Sequence, residues 1–199
     1  MKRVEILRDS ETIKLLTDLV RREILRLLAV EPLTQTQLAR RMMLKEPSMS
    51  HHLQLLRKAG LIRIRRTKVG PHGILEKYYE PTANLFLEDW EKIPPDLRRY
   101  LVHSHMERLR GMLSVFQLLA EEQGQSIDVN SREVIDLAQT IASHIAHIGE
   151  HYKKINRNMD REILLIRIYS DTLKSQMADN KWKSFFSRMG RPTHLAVSP

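Results

Sequence analysis

Apolar residues recur at three-and-four spacing near the start of the chain, at Ile13, Leu16, Leu19, Val20, Ile24, Leu27 and Leu28. The spacing predicts helix over Glu11–Val30, broken near Asp18. Glu31-Pro32 ends it, because proline lacks a backbone donor and disfavours helix in the residue before it. Thr34 with Gln37 three residues on has the form of a capping box and opens a short helix, Gln35–Met43. Pro47 suits the first turn of a further helix that runs to Lys58, and Gly60 can take the left-handed position just past its end. The period then changes from about 3.6 to 2. Leu61, Ile62 and Ile64 alternate with Arg63, Arg65 and Arg66, as in a half-buried strand. Val69–Gly73 reads as a loop, Ile74–Tyr79 as the returning strand of a hairpin, and Pro81-Thr82 as the close of the unit.

Beyond Pro94-Pro95 the helical period returns over Asp96–Gln123, Ser131–Asn156 and Met159–Met177, with a further short helix over Lys181–Met189. Asp128 or Asn130 can cap the second of these, and Asp160 stands at the start of the third. The fold class is therefore mainly α with an α+β start. A winged helix-turn-helix with a β-hairpin wing spans residues 1–82. A helical dimerisation or effector region spans 83–189, and residues 190–199 form a tail.

Charge sharpens this division. The 199 residues carry 33 Lys+Arg and 24 Asp+Glu, a formal charge of +9. Residues 1–80 hold +8 of it and residues 81–199 only +1. A basic first part joined to a nearly neutral second part points to a polyanion partner for the first. There is no cysteine, which excludes disulfides, thiolate metal sites and a cysteine nucleophile. No apolar run approaches the length of a membrane span, and the N-terminus lacks the apolar core of a secretory signal. A cytoplasmic location follows as the expectation.

Three helices followed by a two-stranded hairpin make a winged helix-turn-helix, whose third helix enters the major groove of double-stranded DNA. At 100° per residue, Met49, His52, Leu53 and Leu56 fall on the packing face of that helix. Ser50, His51, Gln54 and Lys58 fall on the opposite face. Ser48, Ser50, His51 and Gln54 carry groups that can bond base edges. Pro47–Leu75 contains no acidic residue but holds Arg57, Lys58, Arg63, Arg65, Arg66 and Lys68. With His72 at the wing tip, these make a phosphate footprint, since each pairing with phosphate releases a counterion.

The stretch EPSMSHHLQLLRKAGLI, within residues 33–82, resembles the DNA-binding core of ArsR-type winged-helix repressors. Ser50, His51, His52 and Leu53 stand at the family's Ser-x-His-Leu positions, and Leu56, Arg57, Ala59, Gly60 and Leu61 at those that follow. The resemblance covers roughly residues 10–82. It implies a homodimer that binds a partly palindromic operator and represses. The chain departs from the pattern at Leu33–Leu38, where metal-sensing members carry paired cysteines and this sequence has none. Its wing is longer than the common turn, and the helical half has no counterpart in the minimal family member.

The remaining candidates are weaker. His144, His147 and His151 share one helix face with Glu150 adjoining, and imidazoles so spaced can bind zinc or nickel. His103 and His105 add to the set. Ile141, Ile145 and Ile148 close by favour packing, so no metal site is assigned, and a histidine-dependent metal sensor stays as an alternative. Met106, Met112, Phe116, Met159, Met177, Trp182, Phe185 and Phe186 are of the types that line an apolar ligand cavity or fill an ordinary core. An effector, small molecule or metal, is left unidentified. No nucleotide-binding glycine motif or nucleophile elbow is present, so the reading is not an enzyme and calls for no cofactor. An interaction adaptor on a winged-helix scaffold is the other alternative.

Overall fold

A computed structural model describes residues 1–70, 73–122, 124, 130–154, 159–177 and 180–189. The wing-tip His72 and the expected tail 190–199 lie outside the described residues. In chain order the elements are β1 (Lys2–Leu7), α1 (Ser10–Leu15), α2 (Leu19–Val30), β2 (Leu33–Thr34), α3 (Gln35–Arg41) and α4 (Glu46–Lys58). Next come β3 (Ile62–Val69), β4 (Leu75–Pro81), β5 (Ala83–Glu88) and a 3-10 turn at Trp90–Lys92. Four helices follow: α5 (Pro95–Glu122), α6 (Ser131–Tyr152), α7 (Arg161–Met177) and α8 (Asn180–Met189).

The local chemistry accounts for the helix ends. Asp18 accepts from the backbone N–H groups of Val20 and Arg21 and so starts α2 where the sequence predicts a break. Thr34 and Gln37 form both halves of the capping box of α3. Pro47 sits in the first turn of α4, where its missing donor costs nothing. Between α3 and α4, Met43 takes the left-handed region at φ +53°, which for a side chain with Cβ costs about 1–2 kcal/mol. The end of α4 is a Schellman motif. Gly60, at φ +71°, donates to Arg57 O at 3.0 Å, and Leu61 donates to Leu56 O at 2.9 Å. Leu56 and Leu61 are buried in the same cluster, the apolar contact that accompanies this cap.

Two sheets are present among the described residues. β2, β4 and β3 form an antiparallel sheet in that order, with the β3–β4 hairpin as the wing. β1 and β5 pair in parallel, with Val4 beside Leu85 and Ile6 beside Leu87. The sequence reading contained neither β1, β2 nor β5. Their placement gives two cores that do not follow the expected border at residue 82. The helix-turn-helix core gathers Ile13, Ile24, Leu28, Leu38, Met49 and Leu56, but also takes Ile93, Leu97 and Leu101 from the start of α5. The helical core gathers Leu109, Leu137, Ile141, Leu164 and Ile168, but also takes Val4 and Ile6 from β1. α6 crosses the β1–β5 ladder closely at Gly149, where an added Cβ would lie 2.5 Å from Leu87 Cδ1 and 3.2 Å from Ile6 Cδ1.

Ion pairs join the two cores. Arg22 of α2 meets Glu88 of β5 at 3.0 Å. Arg8, after β1, reaches Asp89 at 3.1 Å and Glu150 of α6 at 2.6 Å. The first helices and the second half of the chain are thus tied through β5 and its flanks.

Candidate nucleic-acid interface

α4 buries Met49, Leu53 and Leu56 and half-buries His52, the face assigned to packing. Burial pushes the His52 imidazole below its ordinary value, with the Arg21 and His51 charges acting the same way and Asp18 opposing. Its buried Nδ1 has no hydrogen-bond partner. His52 therefore packs α4 against the start of α2 and is turned away from the outer face. Its neighbour His51 is exposed, with the two rings edge to face at 6.0 Å.

The outer face of α4 is polar and has two flanks. Ser50, Gln54 and Arg57 look across a groove of about 610 Å³ at Leu75, Lys77 and Tyr79 of β4. Gln54 Nε2 lies 3.5 Å from Ser50 Oγ, so the two act as one polar patch. Ser48, His51 and Lys58 are exposed on the other flank. Gln35 of α3 donates to Glu46 O at 3.3 Å and fixes the entry of α4 beside the groove.

Acidic groups absent from the Pro47–Leu75 run come back in space. Glu46 and Glu76, the residues on either side of the run, both line this groove. Glu80 of β4 is buried and holds two of the expected cations, Arg63 at 2.8 Å and Arg65 at 3.1 Å. The cause is register. Cross-strand partners share a sheet face, and Arg63 pairs with Glu80, Arg66 with Tyr78 and Lys68 with Glu76. A register shift between Ile64 and Arg66 lets Arg65 reach Glu80 too. The other hairpin face carries Ile64 with Tyr79, Thr67 with Lys77 and Val69 with Leu75, and this face turns toward α4.

The six expected cations therefore divide into three pairs. Arg57 and Lys58 extend from the end of α4, exposed and without an ion pair among the described residues. Arg66 and Lys68 stack on the Tyr78 ring, at 4.6 and 5.7 Å from its centroid, and keep their charge. Arg63 and Arg65 are shared by one carboxylate. Lys77, exposed and facing the groove, is a cation the sequence reading left out. Its signal was present, because strand alternation from Tyr79 places it on the inner face.

The histidines of the second half do not converge. His144, His147 and His151 are exposed on α6, with His144 Nδ1 2.8 Å from Thr140 O and the His147 and His151 rings edge to face at 5.5 Å. No group of three His, Asp or Glu able to hold a metal occurs among the described residues. His103 is exposed, whereas His105 is buried and its Nδ1 shares a hydrogen bond with the Tyr169 hydroxyl. Arg108 donates to the same hydroxyl at 2.9 Å. Burial, reinforced by the charges of Arg108 and Arg22, lowers His105 to about 3, so it is neutral at ordinary pH.

The Met and aromatic set also scatters. Met106 and Met159 pack on the helical core, Trp182 and Phe185 are buried in it, and Met112, Phe116 and Met177 are exposed. The Phe186 side chain lies outside the described residues. A cleft of about 470 Å³ lies elsewhere, between α2, β5 and α5, and Arg22, Glu88 and Arg108 are on its wall.

A family model described as a helix-turn-helix domain matches residues 16–65, from the end of α1 through α4 into β3. That family includes ArsR-like regulators. No curated protein matches the chain. No helix among the described residues is long and apolar enough to cross a membrane. The matched unit is the one that holds the polar face of α4 and the base of the wing, and it is of the type found in DNA-binding regulators.

Proposed function

We propose that the protein is a sequence-specific, DNA-binding transcription regulator, a homodimeric repressor of the ArsR type that does not sense metal through cysteine. The observation that carries the reading is the outer face of α4. A helix with Pro47 in its first turn and a Schellman end presents His51 and Gln54 to solvent with the half-buried Ser50 beside them, next to a basic hairpin, inside the segment that matches a helix-turn-helix domain. Ser48, Ser50, His51 and Gln54 probe base edges, because hydroxyl, imidazole and carboxamide groups match the donor and acceptor pattern of the major groove. Arg57, Lys58, Arg66, Lys68 and Lys77 take phosphates. Arg63 and Arg65 belong to the same basic wing, but Glu80 cancels part of their charge. Two copies read two half-sites, since a single helix buries too little to specify an operator.

The test is selection of duplexes from a random library by the purified chain, at several salt concentrations. A recurring, partly palindromic sequence supports the reading. No enrichment over the starting library at any ionic strength would sink it.

A further inference from the structure

The cleft of about 470 Å³ lies where the two cores meet and has the size of a small-molecule pocket. α2, β5, α5 and α7 all line it, so an occupant touches both cores at once. Its apolar lining is partly bare, with Leu19 80% exposed and Phe86 and Leu165 half-buried. Its polar lining is a set of ion pairs with one cation left over. Arg22 holds Glu88 at 3.0 Å, Arg26 holds Glu23 at 2.6 Å and Arg161 holds Glu162 at 2.6 Å. Those are all the carboxylates of the lining. The fourth arginine, Arg108, has no carboxylate partner among the described residues. It donates to the Tyr169 hydroxyl at 2.9 Å, and its guanidinium carbon lies 5.6 Å from the centroid of that ring. His105 shares the same hydroxyl. Burial keeps both partners neutral, pushing Tyr169 up and His105 down to about 3. Neither cancels the charge of Arg108.

The lining selects the chemistry of the occupant. Arg108 donates to Tyr169 through Nη1, which leaves Nε and Nη2 of the fork for an acceptor. A guanidinium held by a ring and a hydroxyl is a fixed fork, and such a fork matches a carboxylate by two parallel hydrogen bonds. One surplus charge suits a monoanion. A dianion would bring a second charge that no group of the lining answers, at a desolvation cost. A cation would find every carboxylate already taken. Leu19, Phe86 and Leu165 offer apolar surface that an apolar body removes from water. We infer that this cleft is a binding site for a small amphipathic monocarboxylate, with its carboxylate on Arg108 and its apolar body against Leu19, Phe86 and Leu165. The site lies outside α4 and the wing, and the inference does not rest on the DNA reading.

The experiment is isothermal titration of the full chain without DNA, so failure of this inference and failure of the DNA reading are seen separately. The probes are octanoate, octanol and octylammonium at millimolar concentration. Octanoate should bind one site per chain, at least about tenfold more tightly than octanol, because its carboxylate makes charge-assisted hydrogen bonds that the alcohol lacks. Octylammonium should not bind. Arg108→Gln should remove the preference for octanoate, and Arg108→Lys should keep part of it. Arg108 is exposed, so thermal melts of both variants should match the wild type. Leu19→Glu, at a position 80% exposed, adds a carboxylate to the lining and should weaken octanoate more than octanol. Arg110→Gln, exposed on the same helix but off the lining, should change neither. Absence of octanoate binding overturns the inference. So does equal affinity of the wild type for octanoate and octanol, a preference that survives Arg108→Gln, or one lost as fully in Arg110→Gln.

Discussion

Replacing Glu80 by Gln should raise the salt dependence of DNA binding, whereas replacing Lys68 by Ala should reduce it. Arg63 and Lys68 lie on the same face of the same strand, but their partners differ. Arg63 lies 2.8 Å from a Glu80 carboxylate that is only 10% exposed, with Arg65 on its other oxygen. Lys68 lies over the Tyr78 ring at 5.7 Å. One carboxylate cancels one of the two arginine charges as a counterion does, so that charge has nothing to release when phosphate approaches. A ring face cancels nothing. Each phosphate neutralised contributes about 0.9 to the slope of log K against log salt. Lys68→Ala in a dimer should therefore lower the slope by about 1.8, and between 50 and 200 mM salt each lost contact is about a 3.5-fold change in the loss of affinity. Glu80→Gln should raise the slope by a similar amount, because both arginines then meet phosphate with their full charge, and since both are more than half exposed the stability cost stays below about 1 kcal/mol. The assay is fluorescence anisotropy of a labelled duplex at four or five salt concentrations, with thermal melts to confirm the fold. If Glu80→Gln leaves the slope unchanged, Glu80 does not hold its arginines in the complex and the division of the wing is wrong.

Other predictions concern stability and pH. Gly60→Ala keeps an open environment but forces a Cβ onto φ +71°, and should cost about 1–2 kcal/mol in urea denaturation. Gly149→Ala pushes a methyl into Leu87 Cδ1 at the β1–β5 ladder and should cost about 1–3 kcal/mol, a loss that a second change, Leu87→Val, partly restores. Buried His105 stays neutral down to about 3, while in the unfolded chain it protonates near its ordinary value of 6.5. The unfolded state therefore binds one more proton between those limits, and stability is lost as pH falls, by about 1.4 kcal/mol per pH unit below 6.5. Denaturation at pH 7 and pH 5 should show the slope, and His105→Gln should reduce it by that amount. An unchanged slope in the variant refutes the burial argument.

What was legible in the sequence was local. The capping box at Thr34, the stop at Gly60 and the split of α4 into Met49–Leu53–Leu56 and Ser50–Gln54 follow from neighbours within one or two turns, and the structure has them. β1 and β5 were missed although Val4–Ile6 and Ala83–Leu85–Leu87 alternate as strands do. Their pairing is parallel and spans about eighty residues, so neither strand has its partner nearby in the chain. The same distance hid the intermixing of the two cores. The acid-free run from Pro47 to Leu75 is real as sequence, but β4 returns beside it and brings Glu76 and Glu80 onto the hairpin. His105 stood in the sequence as one ligand candidate among several. Nothing within α5 announces that the residue opposite it is Tyr169 of α7, which buries it and keeps it neutral.

The central claim is that the outer face of α4 reads bases, and the Gln54→Ala variant tests it most directly. Its affinity should be measured for the library-selected duplex and for a scrambled duplex at one fixed salt concentration. Discrimination between the two should fall by about 1–3 kcal/mol, with affinity for the scrambled duplex unchanged. Equal loss on both duplexes, or no loss on either, would contradict the assignment of α4 as the reading helix.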